Sequence, residues 1–212
     1  MVPLGAWVLG EACRQARTWQ GVQIGHPAVS VNVNVASKQL IGDRFASEGF
    51  GAEITRVLAE TGLKTSCLNL EITESALLDY AEATEASLRH IRALGIAMQL
   101  DDFGTGYSSL SYLQRLPIDT VKIDRSFISG KPEVGLTDPQ IVQAIVALAK
   151  SLGKHITAEG VETVEQLEAL RELNCTSVQG YYVSRPIDAE AARALLASWV
   201  PLKAAERVPI AR

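Results

Sequence analysis

Apolar residues follow two different periods along the chain, and the change of period predicts alternating strands and helices. Short apolar segments rich in β-branched residues are typical of buried strands, whereas apolar residues at every third or fourth position are typical of helices. We predict strands at residues 29–35, 68–73, 96–101, 120–123, 155–158 and 177–183. We predict helices at residues 3–20, in the later part of 39–61, and at 81–94, 110–116, 138–152, 163–173 and 188–199. Residues 124–137 are predicted to form a long loop.

This alternation predicts an α/β domain in which helices cover a parallel sheet. An open doubly wound sheet and a barrel both fit the pattern. No Gly-x-Gly-x-x-Gly segment follows the first predicted strand, and the sequence has no phosphate-binding loop with its lysine. A nucleotide-cofactor fold is therefore disfavoured.

Composition narrows the class of protein further. The chain has 212 residues, of which 47% are hydrophobic and 21% are charged, as expected for one globular domain. Its net charge of −4 gives no electrostatic support for binding to DNA or to an anionic membrane. The three cysteines fit neither a disulfide framework nor a zinc site. The sequence shows no signal peptide and no apolar stretch of about 20 residues, so we expect no membrane segment and a cytoplasmic location.

Polar side chains stand at or just after the carboxyl end of every predicted strand. In parallel α/β domains these ends meet at one edge of the sheet, where functional sites collect. In chain order the residues are Asn34, Glu71 and Glu74, Asp101 and Asp102, Lys122 and Asp124, Glu159 and Glu162, and Gln179, with Asn32 on the same side of its strand as Asn34. Purely structural roles are possible for single members of this set. Glu74 could cap a helix, Lys122 could pair with Asp101, and Gln179 could bind the backbone.

As a group, these residues predict a metal site. Carboxylate and amide oxygens suit Mg²⁺ or Mn²⁺. A lysine next to such a metal, together with a free carboxylate, suits hydrolysis of a phosphodiester by an activated water.

Six short motifs lie at these strand ends. They are residues 34–40 (NVASKQL), 71–75 (EITES), 101–110 (DDFGTGYSSL), 121–124 (VKID), 158–163 (AEGVET) and 179–181 (QGY). In this order the motifs resemble those of the EAL domain family, and the resemblance extends from residues 3–9 (PLGAWVL) to about Pro186. Proteins of that family hydrolyse the bacterial second messenger cyclic di-GMP to a linear dinucleotide. The resemblance implies this hydrolase activity and a TIM-like (β/α) barrel.

The resemblance also implies a role for each matching residue. The implied metal ligands are Asn34, Glu71, Asp101, Asp102 and Glu159. Glu159 would be either a ligand or a base near the attacking water. Lys122 would position water and stabilise negative charge on the phosphate.

Four more residues receive supporting roles from the resemblance. Gln179 would support the site, and Glu74 would hold the loop that follows Asp102. Glu162 and Tyr181 would contact the guanine end of the ligand. The loop at residues 104–109 would act as a hinge that couples the site to a dimer partner.

One expected motif has no counterpart in the chain. The Glu-Ala-Leu motif that gives the family its name, with its metal-binding glutamate and the arginine after it, would precede Pro3. Six of the eight barrel strands are therefore predicted. Either Met1 is an internal methionine of a longer protein, which we favour, or the chain is a truncated relative that has lost catalysis. We expect an EAL-type domain without its first two strands at residues 1–200 and a C-terminal tail at 201–212.

Our main hypothesis is a metal-dependent cyclic di-GMP phosphodiesterase domain, which could be inactive as truncated. The alternative is a non-catalytic sensor of cyclic di-GMP or a protein-interaction module. The resemblance further implies a homodimer, and an upstream sensory or GGDEF domain in a longer parent protein.

Overall fold

A single parallel sheet organises the structure. The structure is a computed structural model that describes residues 2–22, 28–41, 49–78, 81–106, 110–130 and 135–199. Within these residues, six strands lie side by side in the order of the chain, and every neighbouring pair is parallel. The strands are β1 (Val31–Asn34), β2 (Leu68–Thr73), β3 (Ala97–Phe103), β4 (Thr120–Ile123), β5 (His155–Glu159) and β6 (Ser177–Gln179). All six carboxyl ends therefore lie at the same edge.

Helices connect successive strands. In the described residues they are α1 (Val2–Trp19), α2 (Ser37–Ile41), α3 (Phe50–Thr61), α4 (Glu74–Leu78), α5 (Ala81–Ala93), α6 (Leu110–Arg115), α7 (Arg125–Ile128), α8 (Pro139–Ser151), α9 (Val164–Glu172) and α10 (Ala189–Ser198), with a 3-10 turn at Thr65–Cys67. The sheet curls into a half-barrel. The predicted α/β fold, an incomplete TIM-like barrel with six strands, is confirmed. None of the helices in the described ranges is long and apolar enough to cross a lipid bilayer.

The two sides of the sheet differ in chemistry because alternate residues of a strand face opposite sides. On β2, Leu68, Leu70 and Ile72 are fully buried, whereas Asn69 and Glu71 make polar contacts on the other side. The same alternation runs through the other strands. We use the name polar face for the side that carries Asn32, Asn34, Asn69, Glu71, Gln99, Asp101, Lys122, Glu159 and Gln179.

The opposite side, the apolar face, forms the core together with the helices. Apolar side chains from helices α3, α5 and α8 belong to the same buried cluster as those of the strands, for example Ile54, Leu88 and Val146. Burying a large aliphatic side chain contributes about 1.5–3 kcal/mol. This burial fixes the register of each strand, since a shift by one residue would move its polar side chains into the core.

Several predicted boundaries and elements are wrong: the third strand extends to Phe103 instead of residue 101, and the short helices α2 and α4 were not predicted. The sixth strand ends at Gln179 instead of residue 183, because Gly180 begins a turn in which its carbonyl accepts hydrogen bonds from the Val183 and Ser184 amides. Residues 124–137 are not one continuous loop, since α7 lies within them. The predictions for residues 107–109 of the hinge loop and for the tail at 201–212 fall outside the described residues.

Candidate active site

Lys122 on β4 is the centre of an ion-pair cluster at the carboxyl edge of the sheet. Its side chain is 2% exposed, and its Nζ atom lies 2.8 Å from Glu71 Oε1, 2.9 Å from Asp101 Oδ1 and 2.5 Å from Glu159 Oε1. The three carboxylates belong to β2, β3 and β5. The pairing with Asp101 that the sequence left open is therefore present, and Lys122 has two further partners. One side chain joins four neighbouring strands.

One ammonium group cannot balance the charge of three carboxylates. Burial alone would lower the pKa of Lys122, but hydrogen bonds to Glu159, Glu71 and Asp101 outweigh burial and hold this pKa well above its ordinary value. The lysine is thus positively charged. Burial raises the pKa of Glu159, and the nearby charges of Asp101 and Glu71 add to this effect against the opposing effect of Lys122. The site carries a surplus of negative charge that a bound cation would compensate.

A β-bulge on β3 places Asp101 and Asp102 on the same side of the sheet. Consecutive residues of a regular strand would face opposite sides. The register with β4 shifts between Leu100 and Phe103, and Asp102 adopts the left-handed backbone conformation with a φ of 55°. One carboxylate oxygen from each of Asp101, Asp102 and Glu159 consequently lies within 4.8 Å of the others. Burial and the charge of Asp101 raise the pKa of Asp102. These oxygens fit a hard divalent cation.

Glu74, the first residue of α4, contacts the loop that follows the bulge. Its Oε2 atom accepts a hydrogen bond from the Gly104 amide at 3.3 Å. Its Oε1 atom is buried, has no hydrogen-bond partner among the described residues, and faces Gly106, where a Cβ atom would come within 2.6 Å of it. An alanine at position 106 would therefore require the Glu74 carboxylate to shift.

A cleft of about 360 Å³ opens next to Glu159. Its lining consists of Arg125, Ser126, Ser129, Glu159, Gly160, Glu162, Gln179, Gly180 and Tyr181. Tyr181 is 51% exposed, and the guanidinium of Arg185 lies 4.6 Å from the centre of its ring. A cation in this position is attracted electrostatically to the face of the ring. The cleft thus offers an aromatic surface beside the acidic cluster, which suits a ligand with a flat base and a phosphate.

Gln166 on α9 connects the segments that form the two walls of the cleft. Its side chain is 2% exposed. The Oε1 atom accepts hydrogen bonds from the amides of Glu162 at 2.7 Å and Thr163 at 3.1 Å. The Nε2 atom donates to the carbonyls of Ile128 at 3.1 Å and Gly135 at 3.4 Å. A second connection is the Ser129 hydroxyl, which donates to the Gly160 carbonyl at 2.7 Å.

All but one of the predicted site residues fall into two adjoining groups. Glu71, Asp101, Lys122 and Glu159 are joined by ion pairs, and Asp102 lies beside them. Asn34 is paired in register with Glu71, and Gln179 with Glu159. Glu162 and Tyr181 belong to the cleft. Glu74 reaches the loop after the bulge and does not join either group.

Sequence reasoning assigned no role to several polar residues that contact these groups. They are Asn32, Asn69 and Gln99 on the polar face, and Arg125, Ser126, Ser129, Gln166 and Arg185 around the cleft. The first three could have been found from period-two alternation, since each lies two residues before a predicted site residue. The cleft residues carried no comparable signal.

Comparison with known proteins assigns this arrangement to a family. The family model described as "EAL domain" matches residues 1–186. The chain belongs to the EAL domain family. MucR of Pseudomonas aeruginosa, a bifunctional diguanylate cyclase/cyclic di-GMP phosphodiesterase, is 44% identical over 90% of this chain and 27% of MucR. The cyclic di-GMP phosphodiesterase NbdA of the same organism is 44% identical over 87% of this chain and 22% of NbdA. The EAL chain thus spans about a quarter of the length of these relatives.

Solved EAL structures share its fold. The PaMucR phosphodiesterase in complex with c-di-GMP has a TM-score of 0.79 and 43% identity, covering 90% of this chain and 74% of that one. A manganese/cy-diGMP complex of Klebsiella pneumoniae BlrP1 has a TM-score of 0.71 and 26% identity, covering 87% of this chain and 44% of that one. The relatives that carry these names therefore bind or hydrolyse cyclic di-GMP, and one of them does so with a divalent metal in its structure.

Proposed function

We propose that this chain forms the catalytic part of a metal-dependent phosphodiesterase that hydrolyses cyclic di-GMP to the linear dinucleotide. The observation that carries the proposal is the buried Lys122 with three carboxylates, next to a cleft with an aromatic wall. The names of MucR and NbdA support the substrate. The acidic oxygens around Asp101 support a divalent cation, which we infer to be Mg²⁺ or Mn²⁺.

We assign the cation to the carboxylates and the amide at the edge of the sheet. The proposed ligands are Asn34, Glu71, Asp101, Asp102 and Glu159. A divalent cation, when bound, supplies Lewis-acid activation of a phosphate and of water. Lys122 keeps a fixed positive charge beside it and stabilises negative charge on the phosphate. Glu159, whose pKa burial raises, accepts a proton from water more readily than an ordinary carboxylate does.

We assign one guanine of the substrate to the cleft. The ring of Tyr181 offers a stacking surface, and the Glu162 carboxylate can accept hydrogen bonds from a guanine edge. Gln179 lies between the two groups, and we propose that it orients Glu159, its partner in register. Glu74 holds the loop after Asp102 through the Gly104 amide.

We propose an EAL-type domain over residues 1–200, with residues 201–212 as a tail. The family match to residue 186 and helix α10, which ends at Ser198, support this extent. Since the curated relatives are several times longer than this chain, we also propose that further domains accompany it in a longer parent. A second copy of the chain is a proposed partner, and light scattering of the purified protein tests it.

The test is hydrolysis of cyclic di-GMP by the purified full-length protein with Mn²⁺, followed by chromatography of the linear product. Asp101→Asn and Glu159→Gln should each lower kcat by at least about 100-fold, because each removes a charge from the proposed centre. Glu168→Gln, on the exposed side of α9, is the matched control. Unchanged kcat in either variant contradicts the assigned roles. Binding of cyclic di-GMP without any turnover contradicts catalysis and favours a sensor.

A further inference from the structure

Three amide side chains on the polar face form a chain of hydrogen bonds that ends on Glu71. Asn32 Nδ2 donates to Glu71 Oε1 at 2.9 Å. The Oδ1 atom of Asn32 accepts from Asn69 Nδ2 at 2.9 Å and from Gln99 Nε2 at 3.4 Å. The three amides belong to β1, β2 and β3. We call these three residues the amide relay.

The chemistry of Glu71 fixes the direction of every bond in the amide relay. An ionised carboxylate only accepts hydrogen bonds, so the atom of Asn32 that faces it must be the NH₂ group. The oxygen of Asn32 then points away from Glu71, towards Asn69 and Gln99, and both of these must donate. None of the three amide groups can be rotated by 180°, which exchanges its oxygen and its nitrogen, without losing a hydrogen bond.

The relay occupies one oxygen of Glu71 and leaves the other without a donor among the described contacts. Oε1 receives Asn32 Nδ2 and also Lys122 Nζ, which lies 2.8 Å away. Glu71 is 6% exposed, so its carboxylate has few alternative orientations. Hydrogen bonds to one oxygen of a ligating carboxylate orient the other oxygen and adjust its basicity.

We propose that Asn32 is a positioning residue, which holds Glu71 with Oε2 directed to the cation while Asn69 and Gln99 hold Asn32. This inference rests on the proposed function, because it takes Glu71 as a ligand of the divalent cation. The backbone supports it, since Asn32 is paired in register with Asn69, two residues before the pairing of Asn34 with Glu71. Asn32 and Asn69 are therefore the preceding residues of their strands on the polar face, and Gln99 is in register with Glu71.

The first test is the binding of Mn²⁺ to the metal-free full-length protein, measured by electron paramagnetic resonance of the free ion. Asn32→Leu removes the donor to Glu71 and should raise the Kd for Mn²⁺ by about 10-fold. Gln143→Leu, on the exposed side of α8, is the matched control and should leave the Kd unchanged. An unchanged Kd in Asn32→Leu overturns the proposal.

A double variant separates positioning from general loss of stability. Asn69→Leu alone should raise the Kd for Mn²⁺ by a smaller factor than Asn32→Leu, because Gln99 still holds Asn32. In the Asn32→Leu background, the same substitution should raise the Kd no further, since it acts through Asn32. Equal factors in the two backgrounds would overturn the relay. If Asn32→Leu does not fold, the double variant Asn69→Leu/Gln99→Leu decides, because it leaves the Asn32 oxygen without either donor, and an unchanged Kd overturns the proposal.

The outcomes also distinguish this inference from the proposed function. If the wild-type protein does not bind Mn²⁺, or if the Asp101→Asn variant binds it equally well, the proposed metal centre is wrong. The role of the amide relay is then wrong as well. A different result would leave the metal centre intact as a proposal. If the wild-type protein binds Mn²⁺, and Asp101→Asn abolishes this binding while Asn32→Leu has no effect on it, only the role of the amide relay is wrong.

Discussion

Lys122 and Gln166 are equally buried, at 2% exposed each, but they bind different kinds of partner. Lys122 contacts three charged side chains that belong to the proposed chemistry. Gln166 contacts four backbone groups in the segments that shape the cleft. Lys122 is therefore a charged centre on the strands, and Gln166 is a neutral centre on helix α9.

The difference shows two ways in which a fold can build one site. A charged centre requires its partners, because a buried charge without a counter-charge is very unfavourable. A neutral centre fixes the backbone without changing the local charge, so it shapes a binding surface and leaves the electrostatics to other residues. We expect substitutions at Lys122 to affect catalysis and stability together, and substitutions at Gln166 to affect ligand binding through the shape of the cleft.

The largest expected effect is that of Lys122→Met. Removing the cation leaves three carboxylates close together, so the free energy of unfolding should fall by about 3–5 kcal/mol. The kcat should fall by at least about 100-fold. Chemical denaturation and turnover of cyclic di-GMP measure the two effects. Lys64→Met replaces an exposed lysine and should leave both values unchanged. A stable, active Lys122→Met variant would refute the role of the charged centre.

Gln166→Leu should have the next largest effect. Leucine has a similar size but leaves the Glu162 amide and the Ile128 carbonyl without their partner, which costs about 1–3 kcal/mol for each buried group left unpaired. We expect a KM for cyclic di-GMP raised by more than the factor by which kcat falls. Glu168→Leu on the exposed side of the same helix is the control. If kcat falls and KM stays constant, Gln166 acts on catalysis and not on ligand binding, and the proposed difference between Gln166 and Lys122 is wrong.

Gly160→Ala tests the short segment that joins the two centres, between Glu159 and Glu162. Gly160 has a φ of 71°, and a Cβ atom there would lie 2.5 Å from Ser129 Oγ and 2.6 Å from Arg125 Cβ. The left-handed conformation alone costs an alanine about 1–2 kcal/mol. We expect a larger fall than this in the free energy of unfolding, measured by denaturation, because the overlaps with Ser129 and Arg125 add to the cost of the backbone conformation. Gly153→Ala is a useful comparison because its φ is 64° but open space surrounds it.

The smallest expected effect is that of Asp124→Ala, which removes the cap of α7. The Asp124 carboxylate accepts a hydrogen bond from the Ser126 amide at 2.9 Å, and a cap of this kind contributes about 1 kcal/mol. Burial opposes ionisation of Asp124, but the hydrogen bonds from Ser126 and the charge of Arg125 lower its pKa.

The lowered pKa of Asp124 determines how the stability contributed by this cap depends on pH. A pKa that is lower in the folded state gives stability that is present above the unfolded value, about pH 4, and is lost as the pH falls through the folded value. The difference in unfolding free energy between wild type and Asp124→Ala should therefore be full at about pH 7 and shrink below about pH 4. Denaturation curves across this range measure it. If the difference in unfolding free energy between wild type and Asp124→Ala grows as the pH falls, the capping role of the ionised Asp124 carboxylate is wrong.

Most of the fold could be predicted because burial imposes periods on the sequence. The strand at 68–73 alternates between fully buried Leu68, Leu70 and Ile72 and polar partners, and its predicted bounds agree with the structure. The end of β6 was missed because the apolar residues after Gly180 continue the pattern while the backbone turns. Helices α2, α4 and α7 were missed because they are only four or five residues long, too short for a helical period to be visible in the sequence.

The acidic cluster could be predicted because parallel strands bring their carboxyl ends together. The position of Asp102 beside Asp101 could not, since it depends on a backbone φ that the residue types do not specify. Gln166 could not be assigned either. Two of its partners are backbone carbonyls 38 and 31 residues away in the chain. Every residue has a backbone carbonyl, so the residue types do not indicate such partners.

The bulge at Asp102 has a consequence for how this domain tolerates changes of length. Substitutions in β3 alter one side chain, but deletion of a single residue between Leu100 and Phe103 would restore regular alternation there. Only one of the two aspartates could then face the polar side, and the Gly104 loop would start one residue earlier relative to Glu74. Insertions and deletions should therefore be poorly tolerated at this strand end. In a library of single-residue deletions sorted by solubility and turnover, variants with a deletion between Leu100 and Phe103 should be depleted.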